Sequence, residues 1–514
     1  MNTDRIALVP MAMPQPTDGS LSRLGGIFER GAALLVFSAL GNGMNFLFMM
    51  FLARQLGMQD FGLYALGLTI FNTVLLLVTT GIDTGAVKFT AEYQAVGDHS
   101  MARRMVSAIS LVGGVIGVVA CAGLAGASWL LANEVYHKPG LTLALLGFAA
   151  AIPCALMTAL LLSTLQACHT VRYTVLIKYI WEPVGKWSLA AIALVAGWGL
   201  AGVVGALVVT MIVSAALTVL ALLRVANVSC KDLRAVQQQD VAVLGSYCLP
   251  LLLANLFGVL GPRTDVMVLG YWLPSEAVGV YLAAFQTAAM LALVLGAFDL
   301  VFAPMMSRAW AVKDERTVRE CYEAVHRIAV MVSIPLFTLL VVFGGEVLAL
   351  FGPGFSAGVT ALSVLAFGYL FNSASGCANT VLLMTGRSRL VLVNTIFYGT
   401  VLMAATCLLI PVWGLLGAAL SASLCSIGLN VLRVWQVWRL HRMVPWTVGM
   451  VKPVAAGAAM MAALWLLKPW VSPVFYLPMG AAGCVFYLAM LCAARLEADD
   501  RLIVAETLSK LRLA

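Results

Sequence analysis

The chain has 514 residues, of which 62% are hydrophobic and only 11% are charged, with a formal net charge of +8. Soluble proteins carry about 25% charged residues, so this composition excludes a soluble enzyme, a secreted disulfide scaffold and a disordered chain. It is typical of a helical protein that crosses a membrane many times.

Fourteen apolar runs follow one another along the chain, and each is long enough to cross a bilayer as a helix. The runs cover residues 31–53, 63–87, 105–132, 141–166, 175–197, 200–223, 241–270, 279–304, 326–351, 357–384, 390–411, 414–437, 453–470 and 474–494. No alternating strand pattern interrupts them. The sequence therefore predicts an all-α polytopic membrane protein with about 14 transmembrane helices.

The basic residues predict the orientation of these helices. With a cytoplasmic N-terminus, 26 of the 31 Lys and Arg residues fall in inner segments and three fall in outer segments. Cytoplasmic loops are enriched in Lys and Arg, so both termini are predicted to be cytoplasmic. The positive net charge reflects this bias, and no nucleic-acid partner is predicted. The N-terminus also lacks the pattern of a cleaved signal peptide.

A long-range repeat divides the chain into two similar halves. The matches are Leu56 with Leu273, Gly62 with Gly279, Tyr64 with Tyr281, Ala86 with Ala303 and Arg172 with Arg389, all 217 residues apart, and Trp198-Gly199-Leu200 with Trp413-Gly414-Leu415, 215 apart. Six crossings per copy make the copies parallel, related by an axis along the membrane normal. Transporters built in this way bind their substrate between the copies near the midplane.

The spans and the repeat together predict five parts. These are a cytoplasmic N-terminal tail at 1–28, an N-lobe with the first six helices at 29–230, a C-lobe with the next six at 231–445, two accessory helices at 446–495 and a cytoplasmic C-terminal tail at 496–514.

Two junctions between helices carry a family resemblance. The segments are ARQLG at 53–57 with FGLY at 61–64, and RTD at 263–265 with EAVGVY at 276–281. Both are similar to the junctions in polysaccharide (Wzx-like, oligosaccharide) flippases of the multidrug/oligosaccharidyl-lipid/polysaccharide (MOP) superfamily. The resemblance implies two six-helix lobes around a V-shaped cavity, plus two accessory helices. It also implies the translocation of an undecaprenyl-diphosphate-linked oligosaccharide across the bacterial inner membrane for exopolysaccharide or O-antigen biosynthesis. Membrane lipids, a polysaccharide polymerase and a chain-length regulator are the expected partners.

No pattern of an enzyme is visible in the sequence. The pair Gly185-Lys186 is followed by Trp187 and has no glycine five residues earlier, so it is not a nucleotide-binding loop. The 11 cysteines include no CxxC and the five histidines form no HExxH, so neither a metal nor a cofactor is predicted. The function that remains after these exclusions is transport, driven by a proton gradient, a sodium gradient or the membrane potential.

Ionisable residues inside a span are candidate functional residues by default, and arginine suits a diphosphate through its bidentate fork. Arg263 lies in the outer third of the run 241–270, close to Asp265. It is predicted to contact the diphosphate or glycan, to pair with Asp265 and so lock the predicted helices 241–270 and 279–304 together, or to reach the membrane surface. Arg54, at the outer end of the first run, either lines the same cavity or snorkels to the interface.

A second group of charges lies in the run 175–197. Lys178, Glu182 and Lys186 are four residues apart and share one helical face. The face is predicted to line the cavity, and the alternative is a self-neutralising ladder of ion pairs. Pro183 lies within this stripe and predicts a kink that could serve as a hinge.

The remaining candidates are acids and amides. Asp83 and Asp299 lie near the inner ends of equivalent helices, one position out of register at the 217-residue offset. Either they bind a coupling ion or they pair with basic residues at the cytoplasmic rim, such as Lys88 for Asp83. Amide side chains within the spans could bind sugar hydroxyls or join helix to helix. The amides are Asn42, Asn45, Asn72, Asn255 and Gln286.

Three rival functions remain open. A multidrug cation antiporter of the same superfamily would share the lobes and the repeat, but it favours a carboxylate-rich cavity, whereas Lys178, Lys186 and Arg263 favour an anionic cargo. A membrane-embedded glycan polymerase would need a large outer loop, and every predicted outer loop is short. A scaffold for a polysaccharide assembly complex would not depend on the cavity charges.

Overall fold

A computed structural model of the chain describes residues 18–168, 170, 172–225, 235–260, 263–375, 377–446 and 448–493. Side chains are described from residue 41 onward within these ranges, except at 99, 253–260, 297, 298, 300, 301, 304 and 448. The predicted tail at 496–514 lies outside the described residues. So does the tail at 1–28 as far as residue 17, while its remainder already belongs to the first helix.

Helices joined by short turns make up the described residues, and these contain no strand, so the predicted all-α fold is confirmed. The helices are α1 (Asp18–Thr79), α2 (Ile82–Ala95), α3 (His99–Leu130), α4 (Leu141–Ala167), α5 (Glu182–Val195), α6 (Gly199–Val225), α7 (Gln238–Leu260), α8 (Thr264–Trp272), α9 (Ser275–Ala311), α10 (Glu315–Val342), α11 (Gly344–Ala349), α12 (Val359–Ser373), α13 (Ala378–Met384), α14 (Ser388–His441), α15 (Val451–Leu467) and α16 (Tyr476–Ala493). Two π-helices lie at Leu131–Val135 and Val175–Trp181.

Ten stretches of the described residues are helical, long and apolar enough to cross a membrane, as expected of a multi-pass membrane protein. Two of them are about twice the length that one crossing requires: Gly41–Ala95 has 55 residues and Ser388–His441 has 54. Each contains a glycine with a positive φ, 74° at Gly57 and 54° at Gly414. The breaks separate the apolar runs predicted on either side of them. The total of fourteen crossings stays a prediction.

Three predicted runs differ from a single α-helix. The run 357–384 is divided between α12 and α13, and the run 241–270 between α7 and α8. The run 175–197 begins as a π-helix in which the Glu182 amide donates to the carbonyl five residues earlier. Pro183 has no N–H for the carbonyl four residues before it, so the predicted disturbance takes the form of a π-helical stretch directly ahead of the proline.

The repeat is visible in the backbone. Gly199 and Gly414, 215 residues apart, have nearly the same left-handed φ, 53° and 54°. Asp98 and Asp314, 216 apart, both cap a helix with φ near −85° and accept a hydrogen bond from the amide three residues later. The offset at this point of the chain is therefore 216.

A symmetric glycine contact joins the two halves. A Cβ atom on Gly62 of α1 would lie 1.8 Å from the carbonyl oxygen of Ser275, and one on Gly279 of α9 would lie 2.7 Å from that of Met58. Gly62 and Gly279 are 217 residues apart, and so are Met58 and Ser275. Equivalent residues in mutual contact lie beside a two-fold axis. The contact therefore fits two parallel copies that meet across α1 and α9.

Candidate functional site

Two cavities lie at corresponding places in the two halves, each beside the first and fifth apolar runs of its repeat unit. The C-half cavity has a volume of about 250 Å³ and the N-half cavity about 150 Å³. The C-half cavity is lined by Arg263, Asp265, Phe285, Leu365, Gly368, Tyr369, Tyr398, Leu402, Ala422, Ser423 and Ser426. The N-half cavity is lined by Gly41, Asn42, Met44, Asn45, Phe48, Lys178, Tyr179, Glu182, Pro183, Lys186 and Trp187.

Arg263 lies at the break between α7 and α8. It adopts a left-handed conformation with φ 75°, unusual for a residue with a side chain, and directly precedes the first residue of α8. Arg263 forms no ion pair with any carboxylate in the part of the chain that the structure describes. Of the described residues around the C-half cavity, it alone is cationic. Its guanidinium therefore has its donors available to a ligand.

Asp265 has its own partners and is only 3% exposed. Its Oδ2 accepts a short hydrogen bond from the hydroxyl of Tyr281 on α9, and its Oδ1 accepts one from the Val266 amide at 2.9 Å. The interpretation that an Arg263–Asp265 ion pair locks the two helices is therefore wrong. The carboxylate joins α8 to α9 through Tyr281, because a buried carboxylate needs hydrogen bonds wherever donors are close enough.

Two tyrosines of the C-half cavity were missed by the sequence analysis. Tyr369 on α12 and Tyr398 on α14 present phenol rings beside Arg263, and Tyr369 packs edge-on against Phe285 at 6.2 Å between ring centroids. Hydroxyl groups inside apolar helices could have identified both, since a buried hydroxyl usually finds a partner. Cation, phenols and serines together provide donors for an anionic, hydroxyl-rich ligand.

The N-half cavity brings together five predicted residues. Lys186 Nζ lies 3.6 Å from Glu182 Oε2, and their side chains are 22% and 16% exposed. Asn42 and Asn45 of α1 face the same cavity. The predicted cavity lining and the predicted ladder therefore occur together, since Lys186 is paired and still borders the cavity. Lys178 also lines it and is exposed.

An aromatic contact holds α5 against α1 beside this cavity. The indole of Trp187 donates to the Met44 carbonyl at 3.3 Å and stacks on Phe51, with 5.1 Å between ring centroids. Phe48 packs against the same indole at 5.7 Å. These contacts fix the face that carries Lys186.

Other predicted residues lie elsewhere. Arg54 is exposed, packs beside the backbone of Gly352 and lines neither cavity. Arg54 follows Asn45 by nine positions, and at about 100° per residue it lies on the opposite side of α1. Asn72 and Gln286 are half-buried and line neither cavity, so their contact with sugar stays a prediction. The side chain of Asn255 lies outside the described residues.

The two candidate coupling acids have local partners. Asp83 Oδ1 accepts from the Gly81 and Thr84 amides at 3.2 and 2.7 Å. Lys88, the expected partner of Asp83, instead lies 4.2 Å from the ring centroid of Tyr247, so the predicted rim pair is wrong in the described structure. Asp299 accepts from Thr380 Oγ1 at 2.9 Å.

Family profiles match both halves of the chain. The profile described as "Polysaccharide biosynthesis protein" matches residues 28–310, more than half of the chain. The MatE profile matches residues 250–409. Among curated proteins, the chain is similar to the probable flippase AglR of Haloferax volcanii, with 28% identity over 197 residues. That match spans 37% of this chain and 40% of AglR, less than half of either protein.

Solved structures of similar fold cover most of the chain. One is the lipid II flippase MurJ in an inward closed conformation, with a TM-score of 0.73 and 11% identity over 88% of this chain and 97% of MurJ. Another is an inward-facing multidrug resistance MATE transporter of the MOP superfamily, with a TM-score of 0.66 and 14% identity over 82% and 94%. At these identities the likeness shows a shared fold and leaves the cargo open.

Proposed function

This chain belongs to the polysaccharide biosynthesis protein family, and we propose that it is a flippase for an undecaprenyl-diphosphate-linked oligosaccharide. It would work in the bacterial inner membrane with both termini cytoplasmic, and its product would feed exopolysaccharide or O-antigen biosynthesis. Alternating access of the two halves around the cavities moves the head group. It is a transporter and not an enzyme.

One observation supports an anionic cargo above all: Arg263 faces the C-half cavity with no carboxylate partner among the residues that the structure describes, while Asp265 is already bonded to Tyr281. The cavity therefore offers a guanidinium that pairs with no described carboxylate, and a carboxylate whose two oxygens already accept hydrogen bonds. A guanidinium binds a phosphate through paired charge-assisted hydrogen bonds. A diphosphate carries the phosphate oxygens that the Arg263 guanidinium would bind.

The N-half cavity supports a place for the glycan. Asn42 and Asn45 offer amide donors and acceptors there, and Lys186 offers an ammonium that Glu182 partly neutralises. Sugar hydroxyls both donate and accept hydrogen bonds, so a mixed polar wall suits them better than a purely cationic one. The polar head group can thereby cross without complete loss of its hydration.

A third cavity supports a path for the lipid tail. It has a volume of about 320 Å³, lies between α10, α12 and α15, and is lined by apolar side chains with the exception of Thr338. Ile334 and Phe337 are among the side chains that line it. We call it the tail groove. A polyprenyl chain gains by leaving water for such a surface, so the accessory helix α15 would guide the tail while the cavities hold the head group.

A multidrug cation antiporter is the second candidate, and the match to the MatE profile favours it. A cationic drug needs a carboxylate that is free to exchange drug for proton. In the C-half cavity Asp265 accepts two hydrogen bonds, and in the N-half cavity Glu182 pairs with Lys186. Both acids are occupied, so the anionic cargo is preferred.

Binding of the lipid-linked substrate tests the role of Arg263. Removing the guanidinium deletes charge-assisted hydrogen bonds worth about 1.5–3 kcal/mol, so Arg263→Ala should weaken the binding of an undecaprenyl-diphosphate glycan by roughly 10- to 100-fold. Arg263→Lys should recover part of the loss. Titration of purified protein with a fluorescent substrate measures both effects.

Arg54→Ala is the matched control, because Arg54 is an exposed arginine that lines neither cavity. It should bind the substrate as tightly as the native protein. Equal affinities for Arg263→Ala and the native protein would refute the proposed anion site.

A further inference from the structure

A line of polar side chains continues from the C-half cavity along α14. This helix folds back at Gly414 into two arms, 388–413 and 415–441. Ser426 in the second arm lines the cavity, and Asn430 and Arg433 follow it by four and seven positions. At about 100° and 1.5 Å per residue, Arg433 lies about 20° around the helix from Ser426 and about 10 Å along it. We call these three residues the polar strip.

The polar strip faces the interior of the second half. Asn430 is only 1% exposed, and its Nδ2 donates to Asn372 Oδ1 of α12 at 2.9 Å. Gln436 exchanges two hydrogen bonds with Asn394 of the first arm, at 2.8 and 2.9 Å. Arg433 lies midway between Asn430 and Gln436 around the helix. Its side chain is therefore directed between α12 and the first arm of α14.

The apolar face of the second arm lies on the other side. Leu424, Val431 and Trp435 are exposed, and each is about 160–180° around the helix from Arg433. Such side chains suit contact with lipid. Arg433 is thus a cation within an apolar helix that is turned away from the lipid-facing side, which marks it as a candidate functional residue.

No described acid neutralises Arg433. The sequence from 347 to 496 contains neither Asp nor Glu, so α12 to α16 carry none. From α8, which packs against α14, Asp265 is bonded to Tyr281. Arg433 has no ion pair among the described residues, and its Nε is buried without a hydrogen-bond partner there. Oδ1 of Asn430 is also buried and unpartnered among them. One donor and one acceptor, three residues apart, are therefore unmatched.

The first half shows that the fold does not need these groups. The arm that begins at Gly199 corresponds to the arm that begins at Gly414, and the counterparts of the polar strip, 215 positions earlier, are Met211, Ala215 and Thr218. Thr218 donates its hydroxyl to the Ser214 carbonyl at 2.7 Å. A buried charge without a partner is costly. The second half carries a cost that the first half avoids, and a bound anion would remove it.

We propose that Arg433 and Asn430 form a second binding site, for a phosphate ester with a neighbouring hydroxyl. The guanidinium binds phosphate oxygens through charge-assisted hydrogen bonds, and Asn430 Oδ1 accepts a hydrogen bond from the hydroxyl. A glycosyl phosphate carries both groups close together. That this ligand is the head group of the cargo rests on the proposed function. Arg433 is nearer the predicted cytoplasmic end of α14, so the head group would meet it before Arg263.

Thermal unfolding with a soluble sugar phosphate tests the site without the lipid. A ligand that binds only the folded protein raises the unfolding temperature. Purified Arg263→Ala protein, in which the first anion site is removed, would be heated with glucose 1-phosphate, and with glucose at the same ionic strength as the reference. Glucose 1-phosphate should raise the unfolding temperature, and adding Arg433→Met should abolish the rise. No rise in Arg263→Ala, or an equal rise in the double variant, overturns the proposal.

The stability without ligand separates a binding role from a structural one. Arg433→Met removes an unpaired charge, so it should unfold at the same temperature as the native protein or higher. A lower temperature would show that the guanidinium stabilises the fold, and it would overturn the proposal. Arg433→Lys keeps the charge and should restore part of the effect of glucose 1-phosphate.

Arg439→Met is the matched control. Arg439 is an exposed arginine on the same helix, and its guanidinium lies over the Trp435 ring at 5.4 Å from the centroid. The effect of glucose 1-phosphate should be unchanged in this variant. A loss as large as that in Arg433→Met would contradict a specific role of Arg433.

Lipid composition distinguishes two sources of the ligand, because phosphatidylglycerol also carries a phosphate and a hydroxyl. In phosphatidylcholine nanodiscs, Arg433→Met should weaken the binding of a fluorescent undecaprenyl-diphosphate glycan about tenfold, and added phosphatidylglycerol should not weaken binding by the native protein. Competition by phosphatidylglycerol would overturn the assignment to the cargo. Absence of glycan binding by the native protein contradicts the proposed function, while the sugar-phosphate measurement still decides the site.

Discussion

At the scale of single residues, the C-half cavity depends on the separation of two neighbouring charges. Arg263 is held in a left-handed conformation, and Asp265 turns away to Tyr281. A left-handed residue with a side chain costs about 1–2 kcal/mol. Arg263 therefore forms no ion pair with a carboxylate among the described residues, although an acid lies only two positions away.

Removal of the Tyr281 hydroxyl should destabilise the protein. Tyr281→Phe leaves the buried Asp265 with the Val266 amide alone, and a lost hydrogen bond to a charged group costs about 1.5–3 kcal/mol. We expect a lower unfolding temperature in detergent, measured by intrinsic fluorescence.

Tyr64 offers the matched control for this change. It is the counterpart of Tyr281 and is 1% exposed. Phe48 stands where the second half has Asp265, so Tyr64→Phe removes no bond to an acid. Equal unfolding temperatures for Tyr64→Phe and Tyr281→Phe would contradict the assigned role of the Asp265–Tyr281 bond.

At the scale of elements, breaks in the helices position the functional side chains. The π-helix Val175–Trp181 ends directly before Glu182, so it sets the direction of the face that carries Lys186. Such turns recur at functional sites. Pro183 allowed a disturbance to be predicted here. The break at Arg263 could also have been predicted, because the pair Gly261-Pro262 directly precedes it in the sequence and such a pair marks a turn.

The contact between α1 and α9 should tolerate no side chain. In Gly62→Ala the new methyl would lie 1.8 Å from a backbone carbonyl oxygen, so the two helices must separate. We expect loss of folded protein or a lower unfolding temperature, and a similar effect of Gly279→Ala. Size-exclusion chromatography and thermal unfolding measure both.

Gly114→Ala serves as the control for this pair, since a Cβ atom at this position of α3 meets nothing within 4 Å. Alanine in a helix interior is favoured over glycine by roughly 0.5–1 kcal/mol, so this variant should be as stable as the native protein or more so. If Gly62→Ala behaves in the same way, the close contact at the two-fold axis is absent.

At the scale of the whole molecule, much of the fold could be predicted from the sequence. Apolar runs follow from the bilayer itself, which is why they indicate helices without knowledge of contacts, whereas the orientation that the Lys and Arg residues indicate stays a prediction. The repeat was detectable because rare residues such as Trp198 and Trp413 recur at a fixed distance. Its two-fold contact at Gly62 and Gly279 then appeared in the structure.

The candidate sites were predicted only in part, because their composition depends on packing between distant helices. Asn42, Asn45 and Lys186 were predicted as lining residues from polarity within apolar runs. Tyr369 and Tyr398 were missed: a hydroxyl within a span marks each as a candidate, but it does not show which residue the tyrosine faces. Similarly, nothing near Asp265 in the chain indicates its bond to Tyr281.

The most direct test of the central claim compares two cargoes in one preparation. Purified protein in liposomes would be offered a fluorescent undecaprenyl-diphosphate glycan and, separately, a cationic dye, and the fraction of each that crosses would be measured by quenching from outside. We predict translocation of the glycan lipid, lost in Arg263→Ala, and no gradient-driven movement of the dye. Transport of the dye without translocation of the glycan lipid would contradict the account.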